Sequence, residues 1–208
     1  MKSRTEVRRQ AILDAAAAEF QRNGFERTSM DHVAARAQCS KVTLYSYFES
    51  KEQLFYEAIV AAIDREFIDL FGMLKDSTDP VNEALLSFGE RFVFLVASPR
   101  VRSLRCLIMS ASVHGDSDLS RRCFAAGPEP VKKVCAAYLS RAHERGELRV
   151  PDPKLAGQQL LALLESEWLD GLFYRVGPKL TKQGARDSAA RAVYAFCSMY
   201  HASSAPSD

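Results

Sequence analysis

The sequence predicts an all-α protein with about nine helices. Apolar residues recur three and four positions apart from Thr5 to His201, which is the spacing of one face of an α-helix. Ser, Thr or Asp precedes several of these runs and Gly or Pro follows them, as is typical of helix ends. No segment forms a convincing strand.

The first helix is predicted from Thr5 to Asn23. Its apolar stripe consists of Val7, Ala11, Ile12, Ala15, Ala16 and Phe20. Gly24 ends it as the residue after the C-cap, where a left-handed backbone favours glycine.

Two short helices at an angle are predicted over residues 29–48. Ser29 is a candidate N-cap, and an apolar run at helical spacing follows it. Ser40 caps the second helix, in which Leu44 and Phe48 face one way while an amine, a hydroxyl and two phenols face the other. Two helices joined by a short turn, with the second exposed, form a helix-turn-helix, which places a helix in the major groove of DNA.

Polar side chains in and around the second short helix are the candidate DNA contacts. Phenol, hydroxyl and ammonium groups reach the phosphates and base edges of a duplex. The base-edge candidates are Ser40, Lys41 and Thr43, with Val42 against a thymine methyl. The candidates for the phosphate backbone are Thr28, Ser29, Tyr45, Tyr47 and Lys51.

A long helix is predicted from Glu52 to Phe71. Ser50 at its cap, with Gln53 three residues later, forms a capping-box pattern. Lys51 lies in the first turn, where a cation opposes the helix dipole by roughly a few tenths of a kcal/mol. A DNA phosphate at that helix end would offset this penalty, and the alternative is a solvated lysine balanced by the next residue, Glu52.

Positive charge is concentrated around the helix-turn-helix. Residues 1–51 contain nine Lys and Arg against six Asp and Glu, whereas the rest of the chain contains 19 against 20. The 208-residue chain has a formal net charge of only +2. The excess therefore lies where a phosphate partner would need it.

The stretch SMDHVAARAQCSKVTLYSYFESK resembles the DNA-binding domain of TetR/AcrR-type transcriptional regulators. The likeness rests on Gly24, Phe25, Thr28, Thr43, Leu44, Tyr45, Tyr47, Phe48, Ser50, Lys51, Glu52 and Leu54. Members usually have Ala-Gly-Val-Ser at the turn, where this chain has Ala-Gln-Cys-Ser at 37–40. If the family glycine has a positive φ, Gln38 costs on the order of 1 kcal/mol there.

Further helices are predicted in the rest of the chain, separated by Pro, Gly and Asp. Asp79-Pro80 and Asp152-Pro153 each read as an N-cap followed by Pro at the first helical position. The expected spans are about 80–97, 101–110, 117–125, 131–145, 152–175 and 181–201.

Residues 103–173 are similar to the AefR-like C-terminal domain of some TetR/AcrR regulators. The likeness is carried by the F-x-x-G-P-E step from Phe124 and the R-G-E-L-R-x-x-D-P segment from Arg145. We therefore predict a helix-turn-helix DNA-binding domain over residues 1–51. A helical effector-binding and dimerisation domain is expected over residues 52–208.

The predicted helix from Asp152 is apolar all round, which indicates burial on every side. The resemblance implies a dimer interface between this helix and the last helix of each protomer. The candidate interface residues are Leu161, Leu169, Phe173, Val193, Phe196 and Met199. A two-fold dimer suits DNA half-sites about 34–36 Å apart.

The resemblance also implies a ligand cavity in the second domain. Its candidate lining residues are Phe67, Phe71, Phe88, Phe92, Met109, Tyr138 and Trp168, although each by itself is ordinary core composition. Glu165, Glu167 and Asp170 either face that cavity, or they lie at the rim of the dimer interface or pair with arginines.

Five widely spaced cysteines, none in a C-x-x-C pair, argue against a disulfide framework and a zinc site. No nucleophile elbow, phosphate loop or metal cluster indicates an enzyme, so no catalytic residue or cofactor is expected. No apolar run approaches a membrane span, and the N-terminus is not a signal peptide, so we expect a cytoplasmic protein.

These patterns together with the resemblance predict a ligand-responsive DNA-binding regulator, a repressor that binds a palindromic operator as a homodimer. The resemblance implies that a small apolar or amphipathic effector tilts the helix beginning at Glu52, separates the recognition helices and releases the DNA. The alternative is a thiol-based redox sensor that uses Cys39, Cys106 or Cys123.

Overall fold

A computed structural model describes residues 3–75, 77–113, 117–174, 176 and 180–201. Within its helices, side chains are described except at positions 62–68, 100, 104, 110–113, 117, 119–120 and 172–173. The described residues form α-helices and no strand, so the all-α prediction is confirmed.

There are eleven helices in this part of the chain, where the sequence predicted about nine. The first six are α1 (Arg4–Arg27), α2 (Met30–Arg36), α3 (Lys41–Tyr47), α4 (Lys51–Lys75), α5 (Val81–Val96) and α6 (Pro99–Val113). The last five are α7 (Ser117–Ala126), α8 (Pro128–Glu144), α9 (Pro153–Glu165), α10 (Leu169–Tyr174) and α11 (Lys182–Met199). None of those helices has both the length and the apolar character needed to cross a bilayer.

The chain divides into two compact units. The first comprises Met1–Arg65 with Ser103–Gly127, and the second comprises Glu66–Arg102 with Pro128–Asp208. Both α4 and α6 contribute residues to each unit. The boundary between residues 51 and 52 stays a prediction.

An aromatic cluster joins α1 to α4 inside the first unit. Phe55 makes edge contacts with Phe20 and Phe25, with ring centroids 4.9 Å apart in both pairs. All three rings are buried, and each buried side chain of this size contributes about 1.5–3 kcal/mol of transfer free energy. Gly24, just before Phe25, has a φ of 78° and interrupts α1 as predicted, after which one more helical turn follows.

The second unit is built on α5, α9 and α11, which pack together, with α8 against α9. Gly89 allows the close approach of α5, because a Cβ there would lie 2.8 Å from Leu164 Cδ2 and 3.3 Å from Ala189 Cβ.

The helix predicted from 152 to 175 is two helices, α9 and α10, separated by a turn at residues 166–168. Ser166 Oγ donates a hydrogen bond to Leu163 O at 2.7 Å. This side-chain hydrogen bond competes with the backbone hydrogen bonds that would continue the helix. Trp168 Nε1 donates to Ser188 Oγ of α11 at 3.0 Å, which ties the turn to that helix.

An ion pair fixes the same turn. Glu167 accepts from Arg191 at 2.8 Å and 2.7 Å, and this hydrogen-bonded guanidinium lowers the pKa of Glu167. The carboxylate therefore pairs with an arginine, which was one of the arrangements expected for it.

The two Asp-Pro steps differ in the structure. Asp152 is the predicted N-cap of α9, accepting from Lys154 N and Leu155 N at 3.0 Å. The prediction for Asp79 is wrong: Pro80 occupies the N-cap position of α5, and no side chain caps that helix.

Candidate nucleic-acid interface

Serine caps position the two helices of the helix-turn-helix, as the sequence predicted. Ser29 Oγ accepts from His32 N at 3.2 Å at the start of α2. Ser40 Oγ accepts from Thr43 N at 3.0 Å at the start of α3 and lies 2.8 Å from Thr43 Oγ1. Such caps stabilise a helix by about 1 kcal/mol each.

The turn between α2 and α3 contains a strained residue. Gln38 has a φ of 51° and is the only non-glycine residue with a positive φ in the described ranges. Its carbonyl accepts from Arg8 Nη2 of α1 at 2.8 Å. This is the position where relatives usually have glycine, so the strain expected from the sequence is present.

We expect Gln38→Gly to raise the free energy of unfolding by about 0.5–1 kcal/mol. Glycine removes the strain of the left-handed backbone in the folded state, and this gain exceeds the stabilisation that the more flexible glycine gives to the unfolded chain. Chemical denaturation followed by circular dichroism measures the change. Gln38→Ala is the matched control and should show no gain, since it keeps the unfavourable φ. Equal stability of the two variants would contradict the explanation.

The two faces of α3 differ in burial. Leu44 and Phe48 are fully buried, so the predicted anchors are confirmed. Val42 is 81% exposed and Tyr45 is 45% exposed, while Tyr47 is half-buried. The exposed side therefore presents an apolar group, a phenol and the hydroxyls near the helix start.

Lys41 forms an exposed ion pair with Asp31 of α2. Lys41 Nζ lies 3.0 Å from one carboxylate oxygen and 3.1 Å from the other. The hydrogen bond to this carboxylate raises the pKa of Lys41.

Lys51 adopts an arrangement that the sequence did not suggest. Its Nζ donates to Phe25 O at 3.1 Å and lies 4.3 Å from the centroid of the Phe25 ring. The carbonyl at the C-terminal end of α1 thus offsets the unfavourable dipole of α4.

Ser50 caps α4 as predicted, but Gln53 Oε1 accepts from Glu49 N instead of from Ser50 N.

The structure gives Thr28 a different role from the predicted phosphate contact. Its side chain is buried, and its hydroxyl lies 2.8 Å from Gly24 O and 3.3 Å from Glu19 O. The threonine therefore holds the end of α1 beside the start of α2, and no phosphate reaches its side chain in this conformation.

A buried carboxylate links α1 to α2. Glu19 accepts from Arg36 Nη1 through one oxygen and from Asn23 Nδ2 through the other, each at 2.8 Å. Sequence analysis missed it, although an acidic residue beside Phe20 on the apolar stripe of α1 was a usable signal.

Family models match both parts of the chain. Residues 12–58 match the bacterial regulatory proteins of the tetR family. Residues 83–202, more than half of the chain, match the AefR-like transcriptional repressor C-terminal domain. The chain belongs to the TetR family. This TetR-family protein thus combines the helix-turn-helix domain of bacterial regulatory proteins with the C-terminal domain of AefR-like transcriptional repressors, as the sequence resemblance implied.

Individual relatives agree with this assignment. The HTH-type regulator YhgD of Bacillus subtilis is 36% identical over 40% of this chain, and the match spans 39% of YhgD. The solved structure of a TetR-family regulator from Mesorhizobium loti superposes on this chain with a TM-score of 0.85 at 24% sequence identity. The match covers 96% of this chain and 99% of the Mesorhizobium loti chain, and it shows that the two share a fold. The flavonoid-responsive regulator FrrA superposes on this chain with a TM-score of 0.74 at 28% sequence identity. That match covers 93% of this chain and 97% of FrrA.

The candidate ligand residues of this TetR-family chain occupy different environments. Phe88 and Phe92 stack in the core of the second unit, with ring centroids 5.8 Å apart. Tyr138 is fully buried, and burial raises the pKa of its hydroxyl against a smaller opposing effect of the neighbouring Arg145 guanidinium. Trp168 is half-buried and bonded to Ser188. Phe71 is half-buried. Met109 is exposed and belongs to the first unit. The side chain of Phe67 lies outside the described part of the structure.

Three candidate interface residues are buried within the protomer. Leu161, Val193 and Phe196 pack in the core of the second unit, because α11 presents its apolar side to α5 and α9. Leu169 and Met199 are exposed, and the side chain of Phe173 lies outside the described residues. Sequence analysis also missed exposed apolar residues, among them Leu155, Tyr174, Val176 and Tyr194.

The cysteines are all free thiols, two buried and three half-buried. Cys123 is buried, whereas Cys39 and Cys106 are half-buried. Burial raises the pKa of Cys135 to about 12. The described residues contain no group of three His, Cys, Asp or Glu side chains able to hold a metal ion.

Proposed function

We propose that this TetR-family repressor binds a palindromic operator as a homodimer, through α3 of each protomer, and that a small apolar or amphipathic effector releases it. The observation that carries the proposal is the division of α3 into two faces. Leu44 and Phe48 are buried beneath the helix, while Val42 and Tyr45 project outward beside the hydroxyl of Ser40.

In this proposal the candidate DNA contacts divide between bases and phosphates. Ser40, Lys41 and Thr43 contact base edges, and Val42 contacts a thymine methyl. The phosphate backbone is contacted by Ser29, Tyr45, Tyr47 and Lys51.

A homodimer is supported by exposed apolar residues of the second unit. Tyr194 is 78% exposed on α11, and Met199 and Leu169 are also exposed. Two copies of the chain would bury such residues across a two-fold axis, and the same axis would relate the two half-sites of a palindromic operator.

An effector site in the second unit is supported by Tyr138. Tyr138 is buried, and burial raises the pKa of its hydroxyl, so the phenol stays protonated and can donate a hydrogen bond to a ligand that carries an acceptor. FrrA, which shares 28% identity with this chain, is described as flavonoid-responsive, so an aromatic amphipathic effector is a sensible first class to test here. Such an effector acts only through its different affinities for the DNA-bound and free conformations.

Tyr45→Phe tests the interface. We expect operator affinity to fall about 3- to 10-fold without loss of stability, because one hydrogen bond to a phosphate is removed. Fluorescence anisotropy with a duplex recovered by selection from random sequences measures the change. Tyr194→Phe makes the same chemical change at another exposed tyrosine and should leave the affinity unchanged. Wild-type affinity in Tyr45→Phe would show that α3 faces away from the DNA.

The effector is tested by titrating flavonoids and fatty amphiphiles against the preformed complex with DNA. Release of the duplex at a saturable concentration supports the proposal. A compound that binds the protein tightly and leaves its DNA affinity unchanged would contradict control by that ligand.

A further inference from the structure

The ion pair between Asp31 and Lys41 places a negative charge at the surface that is proposed to face DNA. Asp31 lies in the first turn of α2, and Lys41 is the first residue of α3. Both side chains are more than half exposed, at 64% and 56%, so neither is confined by packing. The carboxylate engages the amine through both oxygens, at 3.0 Å and 3.1 Å.

This geometry changes what Lys41 offers to DNA. An ammonium group has three N–H donors, and Asp31 does not use all of them in a linear hydrogen bond. At least one donor stays available to a second acceptor, but the charge of the pair is close to zero. Lys41 thus keeps its hydrogen-bonding capacity while its attraction to anions is largely cancelled.

Base edges and phosphates respond differently to such a pair. Guanine O6 and N7 are neutral acceptors, so a base can share the amine with the carboxylate. A phosphate oxygen at the same amine would lie close to the Asp31 carboxylate, and the two like charges repel each other. The ion pair therefore disfavours sequence-independent binding more than binding to the operator.

We propose that Asp31 is a specificity-determining residue, which neutralises and orients Lys41 so that the amine is used for a base edge and not for a phosphate. This rests on the proposed contact between α3 and DNA. Asp31 touches no DNA itself in this scheme and acts through Lys41.

Asp31→Asn removes the charge and keeps the shape of the side chain. The probes are the duplex recovered by selection and a mixed-sequence duplex of equal length, each titrated over a range of salt concentrations. We expect affinity for the mixed-sequence duplex to rise several-fold, up to about tenfold, and its salt dependence to steepen by about one unit of log–log slope. The ratio of operator to mixed-sequence affinity should fall by the same factor.

Lys41→Met, with and without Asp31→Asn, shows whether the carboxylate acts through the amine. The proposal predicts that Asp31→Asn has no effect on the affinity ratio once Lys41 is Met. The proposal is overturned if Asp31→Asn leaves slope and ratio unchanged, or if its effect is equal in both backgrounds, which would mean direct repulsion between Asp31 and DNA. If the wild-type protein selects no duplex at all, it is the proposed DNA contact that fails, and thermal melts of each variant identify any loss of folding.

Discussion

We expect Leu44→Ala to lower the free energy of unfolding by about 2–5 kcal/mol and to abolish binding to every duplex at the temperature at which the cells grow. Leu44 is fully buried on the inner face of α3, so its removal leaves a cavity beneath the helix. The helix is only seven residues long, and helices of this length owe their stability to packing more than to their own hydrogen bonds. The loss is measured by urea denaturation of the full chain.

Val42→Ala is the matched control, since it removes a similar amount of apolar volume two residues away on the exposed face. Its stability should stay within about 0.5 kcal/mol of the wild type, because Val42 is 81% exposed. It should weaken binding only where the operator presents a thymine methyl. Similar losses of stability in the two variants would mean that α3 is not anchored through Leu44.

The features that the sequence predicted well are those decided by residues a few positions apart. The caps at Ser29, Ser40 and Asp152 each depend on a hydroxyl or carboxylate and on amides two or three residues later. The strain at Gln38 also followed from a local comparison of residue types. Local chemistry of this kind needs no knowledge of the rest of the fold.

Roles that depend on distant partners were not predictable in the same way. Thr28 carries a hydroxyl suited to a phosphate, but the carbonyl of Gly24 near the end of α1 accepts a hydrogen bond from it. Likewise, the periodicity of α11 identifies its apolar residues without saying which of them face α5. Val193 and Phe196 are inside the protomer, whereas Tyr194, between them in sequence, is exposed.

Tyr194→Glu is expected to dissociate the proposed homodimer. Tyr194 is 78% exposed on α11. A two-fold interface contains each residue twice, so the change would bury two unpaired carboxylates. A buried charge without a partner costs about 3–5 kcal/mol, which corresponds to a loss of dimer affinity of at least about 100-fold. Sedimentation equilibrium measures the loss directly.

Operator binding should weaken together with dimerisation, because a monomer occupies only one half-site at a time. Tyr194→Phe keeps the ring and should remain dimeric, which separates the effect of the charge from that of the missing hydroxyl. Since Tyr194 makes no core contact, Tyr194→Glu should melt as a folded protomer, and its circular dichroism spectrum checks this. A Tyr194→Glu protein that stays dimeric at micromolar concentration would place the dimer interface on another surface of the second unit.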